Sequence, residues 1–221
     1  MELSDALLPA SWRVAGGLLY AALALVVLRR MPWYWLGRRD VPARFAAFTV
    51  AVLALWQLRA ALGDAPAMHL LGATLLTLAF GPALATFALS LVLAGATYKA
   101  AQGWGCFGLN GLLLVMLPVG VSYAWARVTE RLLPRHVFVY FFVAAFFGAA
   151  VSAAVSALAV CAMLALGGAV SRVALVGNYL PTSLLMLFPE AFLTGGFVTL
   201  AVAYKPHWLV SFRDRDYLEE H

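Results

Sequence analysis

Charge is scarce in this chain of 221 residues: Asp, Glu, Lys and Arg together make up 11% of it, against 64% hydrophobic residues. A soluble domain ordinarily carries about 25% charged residues. A globule of the present composition would expose apolar patches that water-facing proteins rarely tolerate. It leaves no room for a soluble catalytic domain. Cysteine is nearly absent as well. Cys106 and Cys161 stand alone, with no CxxC spacing for a metal or a redox pair. One disulfide is open to them, but two lone small residues in apolar surroundings fit better. No G-x-x-x-x-G-K-[ST] occurs, so no ATP site is expected on this chain. The absence of H-E-x-x-H, serine–histidine and paired-aspartate arrangements argues against an intramembrane enzyme. The net charge of +5 has no basic helix or aromatic–basic interleaving behind it, which excludes nucleic acid as a partner.

What the chain does have is long apolar runs, at residues 11–28, 45–62, 68–98, 109–126, 137–164 and 180–204. A helix needs about 20 such residues to cross the hydrocarbon layer. The first run follows Glu2, Asp5 and Arg13 and ends at Arg29-Arg30. A secretory signal has a positive leader and a small-residue cleavage site, so this run reads as a retained span. The third run, 31 residues long, is broken by Gly81-Pro82. Proline lacks an amide donor and glycine is a poor helix interior, so the pair predicts two helices rather than one.

Charge placement agrees. Seven crossings put Arg29, Arg30, Arg38, Arg39, Arg44, Arg127, Arg131, Arg135, Lys205, Arg213 and Arg215 on one side, leaving Arg13, Arg59, Lys99 and Arg172 on the other, a split of 11 to 4. A single crossing between 68 and 98 would scatter them. The positive-inside rule then predicts an outside N-terminus and a cytoplasmic C-terminus. The expected fold is an all-helical polytopic bundle of about seven membrane segments. Its expected division is a transmembrane bundle with an N-terminal arm over 1–205 and a cytoplasmic tail over 206–221. Trp33, Tyr34 and Trp35 read as an interfacial aromatic belt. Small-residue runs at 148–154 and at Gly195-Gly196 predict close helix packing and say nothing about a substrate.

Polar residues in so apolar a chain are the candidates for function. His69 sits at the outside end of the third run, where a neutral imidazole can bind a transition metal or simply make a hydrogen bond at the helix mouth. One histidine is not a site; further donors on the same face are the N-terminal amine, Glu2, Asp5, Asp64 and Met68. Residues 102–110, Gln-Gly-Trp-Gly-Cys-Phe-Gly-Leu-Asn, hold three glycines and suggest irregular backbone folding over the mouth, with Asn110 offering a donor and an acceptor. Glu190 follows Phe188-Pro189 inside the last run. A carboxylate there must point into the bundle, as a structural clasp or as a ligand, toward a backbone amide, Arg59 or a hydroxyl.

The string Met68-His69-Leu70-Leu71-Gly72-Ala73, continued by Phe80-Gly81-Pro82, resembles the histidine-bearing segment of the CbiM-type family. These are the substrate-specific membrane subunits of cobalt and nickel energy-coupling-factor importers. The likeness continues through the glycine-rich stretch ending at Asn110, the helix around Glu190, Lys205-Pro206, and the opening Leu7-Leu8-Pro9. The resemblance implies that an outer-face mouth captures a divalent transition metal, cobalt or nickel, as transported substrate. It implies a transmembrane coupling subunit and cytoplasmic ATPase subunits as partners, in a bacterial inner membrane. It places Met1, Glu2 and His69 around the ion, with Asn110 and Glu190 in support. The family carries histidine at position two, where this chain has Glu2. That change removes an amine–amide–imidazole chelate whose nitrogen donors suit cobalt and nickel. The alternative is a relative that moves another solute or serves as an accessory membrane protein, with Glu2 as its mark.

Overall fold

The computed structural model describes residues 2–59, 68–100, 103–168 and 170–212. Its helices are α1 (Ala10–Arg30), α2 (Val41–Gln57), α3 (Ala73–Phe80), α4 (Pro82–Ala100), α5 (Phe107–Leu132), α6 (Val139–Gly167) and α7 (Arg172–Tyr204), with a one-turn helix at Trp33–Leu36 after α1. No strand occurs among the described residues. Five of these helices, α1 and α4 to α7, are long and apolar enough to cross a membrane. The 17 residues of α2 span about 26 Å at the α-helical rise. The apolar region 68–98 divides at Gly81, as Gly81-Pro82 predicts, into the short α3 and the full-length α4.

Contacts at the two ends show that the seven helices run alternately up and down. At one end, the arm end, Glu2 meets Arg59 after α2, Leu3 meets Asn110 in the first turn of α5, and Gly167 at the close of α6 packs on Leu8. At the other, the tail end, Arg44 of α2 donates to the His207 carbonyl at 3.0 Å. There the amides of Val210 and Ser211 donate to Ala79 and Leu78 of α3, and Tyr140 of α6 bonds Ser211. Residues 206–212, expected from the sequence to begin a tail, thus lie against the bundle, with Leu209 and Phe212 buried. Arg213 and Arg215 lie outside the described residues.

The half-length α3 sits at the centre, packed on α4, α5, α6 and α7. Seven of its eight residues are buried. By contrast α1 buries only Gly16 and Tyr20 and presents Val14, Leu18, Leu19 and Leu25 outward, a surface suited to lipid. It approaches α5 closely, because Gly108 has no side chain to hold it off the backbone of Gly16 and Gly17. Several polar groups in the interior find partners, although the Ser156 and Tyr179 hydroxyls are buried without one. Thr74 and Ser122 hydroxyls lie 2.7 Å apart, and Ser152 donates to the Pro118 carbonyl. Trp33 and Tyr34 are exposed just past α1, where an aromatic belt is expected.

Because α3 covers only about 12 Å, the chain reaches it through a non-helical stretch, residues 68–72. Irregular backbone at such depth survives only where protein satisfies it. Here the satisfaction is complete enough to name: the Leu71 and Gly72 amides donate to Glu190, and the Leu71 carbonyl accepts from the Trp56 indole. Gly72 has φ +67°, a left-handed conformation that side chains disfavour, and its amide is one of the two that Glu190 holds.

Candidate metal centre

The site begins with the arm. Asn110, in the first turn of α5, accepts from the Leu3 amide at 2.8 Å and donates to the Leu3 carbonyl at 3.0 Å, reading that residue's backbone as a strand neighbour would. Two residues on, the Asp5 carboxylate accepts from the amides of Gly105 (3.0 Å) and Cys106 (2.7 Å) and faces Arg13 at 3.7 Å. The glycines of this stretch make room for it, since a Cβ at Gly103 or Gly105 would meet that carboxylate. Residues 103–106 therefore seat the arm, and Asp5 is occupied in holding the loop. Gln102 lies outside the described residues. Burial, and then the Asp5 charge, push the Cys106 thiol up to about 11. The thiol donates to the Ser4 carbonyl and so helps to seat the arm.

Asn110→Ala leaves both Leu3 backbone groups without partners in a buried place. We expect a loss of about 2 kcal/mol in thermal stability together with faster hydrogen exchange at the Leu3 amide, measured by mass spectrometry in detergent.

So anchored, the arm carries Glu2 into the bundle. Glu2 is 9% exposed; its Oε2 accepts from Arg59 Nη2 at 3.0 Å, and its Oε1 is buried without a partner. His69 is 2% exposed, and its ring lies 4.1 Å from that of Trp56 at 34°. Its Nδ1 is 3.1 Å from the Leu70 carbonyl. That contact assigns the proton to Nδ1 and leaves Nε2 with a free lone pair, and Nε2 is buried with no partner. A carbonyl on one nitrogen and nothing on the other is how a protein presents a histidine to a metal.

Glu190 is a clasp. Its two oxygens accept from Leu71 (2.7 Å) and Gly72 (2.8 Å), the residues that follow His69 and Leu70, and so fix the height at which the imidazole stands. Of the partners open to it in the sequence, the backbone amides are the ones it takes; Arg59 goes to Glu2. Met68 is fully buried in the core. Met1 and Asp64 lie outside the described residues. Among the described residues no three His, Cys, Asp or Glu side chains gather in one place, so Glu2 and His69 need at least one further donor to hold an ion. Trp56 was not legible as a site residue, since only the end of α2 brings it to His69; Arg59, open in the sequence as a partner for Glu190, pairs with Glu2 instead.

An N-terminal arm held by Asn110 and Arg59, and a buried, unpartnered imidazole, in a bundle of alternating apolar helices define a polytopic membrane protein. The chain belongs to the CbiM family, the cobalt uptake substrate-specific transmembrane region, whose model matches residues 2–208. It is thus the substrate-specific membrane component of a transition-metal uptake transporter, a complex that includes other subunits. Crystal structures of a transition metal transporter and of a truncated transition metal transporter are each 19% identical to it. The first covers 92% of this chain and 93% of its own at a TM-score of 0.77, the second 92% and 99% at 0.78. At that identity the likeness is one of fold. No curated relative matches the chain.

Proposed function

We propose that the chain captures cobalt or nickel at the arm end, with the Met1 amine, Glu2 and His69 as donors, Asn110 holding the arm and Glu190 holding the histidine segment. The observation that carries this is the buried His69 Nε2 without a partner, in a structure whose other interior polar groups are mostly paired. An unpaired buried nitrogen costs free energy unless something occupies it in the working protein. The unpartnered Oε1 of Glu2 supports the same reading. We take the arm end as the outer face of a bacterial inner membrane and the tail end as cytoplasmic, following the 11 to 4 distribution of Lys and Arg.

The interior below the mouth is filled by Leu76, Leu78, Leu84 and Leu114, all buried. Near the tail end a cavity of about 340 Å³, lined by Thr77, Gly81, Tyr123, Arg127, Glu130 and Ser211, opens beside the α3–α4 break. Release to that side requires the helices to rearrange, which is work for a coupling subunit and ATPases. Metal analysis of the purified chain tests the proposal. Nickel or cobalt should be held at close to one per chain and fall to background in His69→Ala. Equal metal in both proteins would turn the reading toward another solute or an accessory role.

A further inference from the structure

We propose that Arg59 is a resident counter-ion of the metal mouth, which the entering cation must displace from Glu2, making Arg59 a determinant of the site's affinity and ion preference. This rests on the reading of Glu2 and His69 as metal donors. Arg59 Nη2 donates to Glu2 Oε2 at 3.0 Å, with the Glu2 side chain 5% exposed and that of Arg59 29% exposed. The carboxylate is therefore inside and the guanidinium reaches it from the rim. A carboxylate taken so far out of water requires an opposite charge. Only one of its oxygens is bonded, and the other waits unpartnered, as does His69 Nε2. Arg59 also lies within electrostatic reach of the His69 ring.

A divalent ion taking Glu2 and His69 together would thus share a confined mouth with a guanidinium. Like charges at such range oppose each other strongly where water is partly excluded. Two arrangements avoid the conflict. In the empty mouth Arg59 neutralises Glu2; in the loaded mouth the cation neutralises Glu2, and Arg59 swings into the solvent it already touches. The exchange defines the ligand class. An ion must hold a mixed carboxylate–imidazole set more strongly than a guanidinium holds the carboxylate, which excludes monovalent cations and selects divalent transition metals. A histidine at position two makes no such demand, since a neutral imidazole needs no counter-ion. Arg59 and Glu2 then belong together as a pair.

The test uses the full chain in detergent, with nickel and cobalt ions as probes, and His69→Ala to define background. By isothermal titration, Arg59→Gln should bind about tenfold more tightly than the natural protein, or 1.4 kcal/mol, while Arg59→Lys, which keeps the charge, should stay close to it. In a Glu2→Gln background the gain from Arg59→Gln should largely disappear, because the two residues act as a pair. Binding that appears only in Arg59→Gln also supports the exchange. If the natural protein binds metal through His69 and Arg59→Gln is unchanged or weaker, Arg59 is a brace for the arm; the exchange is then wrong and the metal reading stands. If no protein, Arg59→Gln included, binds metal in a His69-dependent way, both are wrong. A readout on the unmutated chain guards against a variant that fails to fold. Phenylglyoxal labelling of Arg59, read by peptide mass spectrometry, should rise severalfold on nickel loading; unchanged or slower labelling overturns the exchange.

Discussion

Glu190→Ala is expected to lower the stability of the bundle by about 4 kcal/mol, because two buried backbone amides lose their acceptors at once and each costs roughly 1–3 kcal/mol when left unpaired. The amides are those of Leu71 and Gly72, in a buried non-helical stretch. The segment has little freedom to turn these amides elsewhere, since the Leu71 carbonyl is held by the Trp56 indole and Gly72 stands at φ +67°. The damage should be local as well as global. Residues 68–72 hold His69 at its height, so metal retention should fall with stability. Glu190→Gln keeps one carbonyl oxygen for one amide and turns a donor toward the other, and should lose about half as much. Thermal unfolding in detergent, followed through tryptophan fluorescence, measures both variants. Trp56, which stacks on the His69 ring, makes the signal sensitive to this segment. A Glu190→Ala protein as stable as the natural one would mean that the two amides find other partners and that the clasp is dispensable.

Glu2→His is expected to raise nickel and cobalt affinity about a hundredfold, or 2.8 kcal/mol. The substitution restores an imidazole beside the N-terminal amine, with the backbone amide between them as a possible third nitrogen, a donor set that suits these ions better than a carboxylate does. It also ends the ion pair with Arg59, so the metal no longer competes with a guanidinium for its ligand. The arm should remain seated, since Asn110 grips Leu3 and the loop amides grip Asp5, neither of which involves the side chain at position two. The gain should vanish when His69 is also replaced by alanine, because the two imidazoles would act as a coupled pair. Titration of the four proteins of that cycle decides it. An unchanged affinity in a folded Glu2→His protein would mean that this mouth is not a cobalt or nickel site.

Much of the protein was legible in its residues. The helix break at Gly81-Pro82 followed from a missing amide and a flexible backbone, which are local properties. His69 and Asn110 stood out because polar groups are rare in an apolar chain and each has to be accounted for. The glycines of 102–110 announced a close approach, yet could not say that Asp5 is what approaches, since that partner is about a hundred residues away along the chain. Glu190 was expected to point inward, on grounds of burial alone; which of several partners it would meet depended on α7 packing against the start of α3.

The composition, the apolar runs and the placement of Lys and Arg by themselves determined that this is a membrane bundle of about seven segments, because transfer of helices into hydrocarbon depends on length and polarity, which are additive along the chain. Only the tertiary structure decided that α3 is half a helix hung on Glu190, that Asn110 reads the arm's backbone, and that Glu2 is held by Arg59. Those are pairings of single polar groups far apart in sequence. Each is fixed by hydrogen-bond geometry over a few ångströms, which no local pattern of residues encodes.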